Sequence, residues 1–150
     1  MELKDIYTQL ILEESRNTQN RRELAHCTHK EAGHNPSCGD EIVLQLEVEG
    51  DLIRDASFVG EGCAISQASA SMMIDLIKGR SLREAGELVD RFLALIRKDI
   101  EPDDELEEML GDAIALQNIS NMPARVKCAV LAWHTLRIII EKMEEGKKVE

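Results

Sequence analysis

Ile6, Leu10 and Ile11 recur at helical spacing between Leu3 and about Ser15, while Asp5, Glu13 and Glu14 fall off that stripe. The pattern predicts a short amphipathic helix. From Arg16 to His34 apolar positions become sparse and three histidines appear, which predicts a surface loop or a partly mobile arm. Ile42, Leu44, Leu46 and Val48 then alternate with Val43, Gln45, Glu47 and Glu49, the period-two signature of a half-buried strand. Gly50-Asp51 reads as a turn into an antiparallel partner over Leu52 to Val59, and Gly60-Glu61-Gly62 as a loop leading to Cys63.

Helical periodicity dominates the rest. Ile65 to Lys78 carries Met72, Met73, Leu76 and Ile77 on an apolar face, with small residues Ala68 to Ser71 before them and Gly79 as a stop. The two methionines fit that face and need no cofactor to account for them. Ser81 and Glu84 have capping-box spacing, and Leu82, Ala85, Leu88, Val89, Phe92 and Ile96 carry a second helix toward Lys98. Pro102 interrupts the pattern. Asp103 to about Leu116 is an acidic helix candidate, and Pro123 suits the first turn of a last helix running to about Met143. These elements predict an α+β fold, a small antiparallel sheet of about three strands packed against helices, in one domain over residues 1–150.

Composition narrows the function. A formal net charge of -11 makes nucleic acid an improbable partner, since that affinity is built by neutralising phosphates with Lys and Arg. The N-terminus lacks a signal-peptide apolar core, and no stretch approaches the ~18 apolar residues of a membrane span, so a cytoplasmic protein is expected. Four cysteines in such a chain are not a disulfide framework; metal ligands, reactive thiols and plain core residues remain.

Three of the cysteines have neighbours with chemical meaning. If the backbone at Cys38-Gly39-Asp40 is extended, thiolate and carboxylate project to the same side. Cys63 lies between glycines and a helix start, where N–H groups and the helix dipole stabilise a thiolate. Cys128 falls in the second turn of the last helix, with Arg125 and Lys127 nearby. Three sulfurs and one oxygen suit tetrahedral zinc, although free cysteines are often simply buried and no Cys-x-x-Cys pair is present. Cys27, with His26, His29 and His34, sits in a polar segment and is at most an accessory site.

The segments Asn35-Pro36-Ser37-Cys38-Gly39-Asp40, Gly60-Glu61-Gly62-Cys63-Ala64-Ile65-Ser66 and Arg125-Val126-Lys127-Cys128-Ala129-Val130-Leu131-Ala132-Trp133 together resemble the SufU branch of the NifU/IscU-like family. The resemblance spans essentially the whole chain. It implies an IscU/SufU-like fold, zinc held by Cys38, Asp40, Cys63 and Cys128, and sulfur transfer in iron-sulfur cluster assembly. It further implies a SufS-type pyridoxal-phosphate cysteine desulfurase as donor, a desulfurase histidine that replaces Cys38 on zinc, and a downstream scaffold or other sulfur acceptor. Arg125 is the candidate for electrostatic support of Cys38 or of the docked transition state.

In the scaffold branch a histidine precedes the last cysteine, whereas this sequence has Lys127, and the interval from Cys63 to Cys128 is longer, with an additional helical segment around Arg80 to Leu116. Both departures favour sulfur transfer over the alternative, a scaffold carrying a transient iron-sulfur cluster. A structural zinc module serving only protein interaction is a third reading. His134 lies six residues beyond Cys128, about 120° around the helix, and does not replace the missing histidine. The acidic run Glu101 to Glu108 reads as a solvated face or a docking surface, and Arg21, Arg22 and Lys30 as solvated loop or docking patch.

Overall fold

The computed structural model describes residues 3–37 and 39–149, with side chains over 7–37 and 39–146. Helix α1 (Leu3–Arg16) is followed by strands β1 (His29–Asn35), β2 (Asp40–Glu49) and β3 (Leu52–Glu61), then helices α2 (Ala64–Ile77), α3 (Leu82–Ile96) and α4 (Asp104–Leu110), a 3-10 segment (Gly111–Ile119) and α5 (Pro123–Val149). The strands form one antiparallel sheet in the order β1-β2-β3. Fold class and strand number are as expected from the sequence. Among the described residues no helix is long and apolar enough to cross a membrane.

The alternation in β2 does what it predicts. Ile42, Leu44 and Leu46 are buried, and opposite Leu44 and Leu46 stand Phe58 and Ala56 of β3, giving the sheet an apolar face under the helices. Small residues in α2, Ala68, Ser69 and Ala70, are all buried and let α5 approach closely. Ser69 Oγ donates to the Ala129 carbonyl at 2.5 Å and accepts from Trp133 Nε1 at 2.9 Å. Trp133 also stacks on Phe92 of α3, ring centroids 4.0 Å apart. The Ser81–Glu84 capping box is present, and the turn before it hydrogen-bonds to β3 through Gly79 N to Ile53 O and Ile53 N to Arg80 O.

Four local expectations are corrected. The segment from Arg16 to His34 is not simply loop: its end is β1, and Asn20 and Leu24 upstream are buried. Asn20 Nδ2 donates to Ser71 Oγ and Asp75 Oδ1, and Lys78 Nζ donates to Asn20 Oδ1, so the arm is fastened to α2. Arg22 and Lys78 both pair with Asp55. Partial burial pushes that carboxyl up, but hydrogen bonds from Arg22 and the Ala56 N–H, with the charges of Arg22 and Lys78, outweigh it and hold it below its ordinary pKa. Gly60 and Glu61 belong to β3, opposite Ile42 and Glu41, rather than to a loop. The acidic helix stops at Leu110, where Gly111 takes φ +51° and the chain tightens into the 3-10 segment. Helix α5 continues past Met143 to Val149.

Gly60 and Gly86 make opposite predictions. Gly60 has φ +122°, and a Cβ there would lie 2.1 Å from the Glu41 carbonyl oxygen, whereas Gly86, inside α3, has open space where a Cβ would stand. In urea unfolding, Gly60→Ala is expected to destabilise the protein by about 2–3 kcal/mol and Gly86→Ala to stabilise it by about 0.5–1 kcal/mol.

Candidate metal centre

Asp40 is the first residue of β2, placed where the chain returns from β1 and paired with Asn35. Gly39 has φ +69°, so the turn is tight and the extended backbone assumed for Cys38-Gly39-Asp40 does not occur. Cys38 itself lies outside the described residues. The Asp40 side chain is 0% exposed. Its Oδ1 accepts the Cys63 N–H at 2.8 Å, while buried Oδ2 has no partner among the described residues. A fully buried acceptor left open in this way calls for a missing proton donor or cation.

Cys63 is the N-cap of α2, and its Sγ accepts the Ser66 N–H at 3.4 Å. A sulfur thus occupies the place where serine, threonine or aspartate usually caps, at the positive end of the helix. Cys128 is fully buried on α5; its thiol reaches the Ala124 carbonyl at 3.6 Å, and Asn35 Nδ2 donates to its Sγ at 3.8 Å. One ligand atom each from Asp40, Cys63 and Cys128 lies within 4.8 Å of the others, the only such group of three or more found among the described residues.

The donor set passes a chemical test for zinc. Two sulfurs and a carboxylate oxygen converge, and that carboxylate carries a buried oxygen with no hydrogen-bond partner among the described residues. Gly62 permits the close approach: a Cβ there would lie 2.6 Å from Ser66 Oγ and 3.0 Å from Asp40 Oδ1.

The remaining candidates are dispersed. Arg125 and Lys127 are exposed, and the Arg125 side chain makes no hydrogen bond or ion pair among the described residues. Cys27 is exposed, its thiol directed to the His29 carbonyl, and no metal-like cluster forms around it among the described residues. His134 is exposed, its pKa held below the ordinary histidine value by partial burial and by the charges of Arg137 and Arg97. Sequence reasoning missed two contributors to the centre, Asn35 and Ser66. Both stand inside the quoted motifs, but their roles depend on contacts 93 residues away for Asn35 and on the cap geometry for Ser66.

Comparison with known proteins places this arrangement in a family. The model of the NifU-like N-terminal domain matches residues 6–149, and the chain belongs to that family. The zinc-dependent sulfurtransferase SufU of Bacillus subtilis is 40% identical over 96% of this chain and 95% of its own length. The iron-sulfur cluster assembly scaffold protein IscU of Thermotoga maritima is 39% identical over 95% of this chain and 98% of its own. A crystal structure from Fervidobacterium islandicum, described as an iron-sulfur cluster assembly scaffold protein for the SUF system, superposes with TM-score 0.82 at 37% identity, covering 93% of this chain and 99% of that one.

Gly62→Ala tests the crowding at the centre. Its methyl group displaces Ser66 Oγ or the Asp40 carboxylate, and Zn(II) affinity measured by chelator competition is expected to fall about tenfold with the far-ultraviolet circular dichroism unchanged.

Proposed function

We propose that this chain serves iron-sulfur cluster assembly as a zinc-dependent sulfur carrier, taking persulfide sulfur from a SufS-type cysteine desulfurase and passing it to a downstream scaffold or other acceptor. The observation that carries this reading is the convergence of Asp40, Cys63 and Cys128 with the Asp40 Oδ2 left open. Family membership and the likeness to a zinc-dependent sulfurtransferase support it. Cys38, two residues before Asp40, is the fourth ligand in this reading and the sulfur acceptor.

Bound zinc keeps its thiol ligands as thiolates near neutral pH and has no redox chemistry of its own. Asp40, Cys63 and Cys128 hold the centre from a strand end, a helix cap and a helix interior. Cys38 is the ligand that leaves it in this reading. Its sulfur attacks the outer sulfur of the donor persulfide; a new sulfur–sulfur bond forms, the old one breaks, and the donor cysteine departs as thiolate. No oxidant or reductant is consumed. Arg125, exposed in the first turn of α5, meets the negative charge of the incoming persulfide.

A scaffold role is the second reading, favoured by the 39% identity to an IscU, and zinc content separates the two. Near-stoichiometric zinc with no stable cluster chromophore after reconstitution supports transfer, and a persistent chromophore supports the scaffold.

Asp40→Ala is expected to weaken zinc retention at least about tenfold and to lower desulfurase stimulation, both measured on one preparation. Unchanged zinc affinity would show that another residue completes the set. After incubation with desulfurase and cysteine, alkylation and peptide mass analysis are expected to find added sulfur on Cys38. Addition on Cys128 with Cys38 unmodified would reverse the assignment.

A further inference from the structure

Asn35 is the last residue of β1, stands opposite Asp40 in the register, and is 5% exposed. Among the described residues its hydrogen bond to the centre runs from Nδ2 to the Cys128 sulfur, at 3.8 Å and across 93 residues of sequence. A buried amide at a strand end has cheaper places to put its N–H groups than a sulfur, so the contact requires a reason. Cys63 receives its N–H from the backbone of its own helix, at Ser66. Cys128 lies inside α5, where the backbone N–H groups are engaged in the helix, so an N–H donor for its sulfur has to come from another element, as Asn35 Nδ2 of β1 does.

The geometry points to Asn35 as a positioning residue for Cys128: its amide holds the sulfur toward Asp40 and Cys63 and marks it as a ligand that stays. The inference rests on the zinc reading above. Hydrogen bonds from N–H groups draw charge from a metal-bound thiolate and so reduce its nucleophilicity and its tendency to exchange. Ser69 and Trp133 lock α5 against α2, so Cys128 is held from behind by packing and from the side by Asn35.

The test uses the full-length zinc-loaded protein and reads reactivity at each cysteine without any turnover. Asn35→Asp keeps the shape and replaces the donor by an acceptor; Asn35→Ala removes both. Iodoacetamide is the probe, with quantitative peptide mass analysis of Cys63 and Cys128 and with zinc content measured beforehand. The expected result is about a tenfold faster modification of Cys128 in Asn35→Asp, with Cys63 changed by less than about twofold, the size of effect a hydrogen bond to a charged group carries. Equal acceleration at Cys63 and Cys128 would mean general loosening and overturns the assignment, as does an unchanged rate at Cys128. Should Asn35→Asp lose its zinc, Asn35→Ala at saturating zinc gives the same comparison. A wild-type protein that holds no zinc overturns the metal reading and this inference with it, whereas normal zinc with an unmoved Cys128 rate overturns this inference alone.

Discussion

A carboxyl group fully withdrawn from water, with only one of its oxygens answered among the described residues, is the constraint on which this structure turns. Asp40 occupies that position because the hairpin from β1 begins β2 under the helices instead of at the surface. The surrounding elements are shaped to reach it. Strand β3 runs so tightly against β2 at Gly60 that only glycine fits, and it then hands the chain to Cys63, whose N–H meets Asp40 Oδ1. Helix α2 starts at that point, so one peptide unit both satisfies the carboxylate and sets the cap sulfur beside it. The other oxygen is buried with no hydrogen-bond partner among the described residues, a carboxylate oxygen of Asp40 lies within 4.8 Å of both sulfurs, and a cation is the simplest resolution.

The third member arrives from far along the chain, and its placement depends on how α5 is held. Ser69 joins the Ala129 carbonyl and the Trp133 indole in one buried junction, and Phe92 brings α3 against the same ring. Ala129 follows Cys128 directly, so a shift of the junction becomes a shift of the sulfur. On the sheet side Gly33 admits Thr135 and Leu131 where a Cβ would stand, bringing α5 down onto β1. The metal-like cluster is in this sense a consequence of packing between four elements, none of which contains more than one of its members.

Much of this was legible in the sequence, and what was not has identifiable physical causes. Alternation from Ile42 to Val48 announced β2, and the Ser81–Glu84 spacing announced the cap of α3, because both are local devices. Cys63 was legible as a helix-start cysteine for the same reason. Strand β1 was not, since His29 to Asn35 has no apolar alternation: it is an edge strand whose inner face is filled by α5 at Gly33 rather than by its own side chains. The acidic helix was read too long because apolar spacing runs on through Ile114 and Leu116, both buried, while Gly111 changes the winding beneath them. The reason given for the Cys38-Gly39-Asp40 spacing was mistaken, since Gly39 turns the chain instead of extending it. Asn35 was invisible as a contributor because its partner is fixed only by the tertiary fold.

The separation of Asn35 and Cys128 by 93 residues also bears on how the protein is made. Synthesis runs from the N-terminus, so β1, β2 and Cys63 leave the ribosome well before α5 does. Until the last helix emerges and docks, Asp40 and Cys63 have no Cys128 beside them, and the cluster is incomplete. Completion of the cluster of Asp40, Cys63 and Cys128 is thereby reserved for a chain whose last helix has docked.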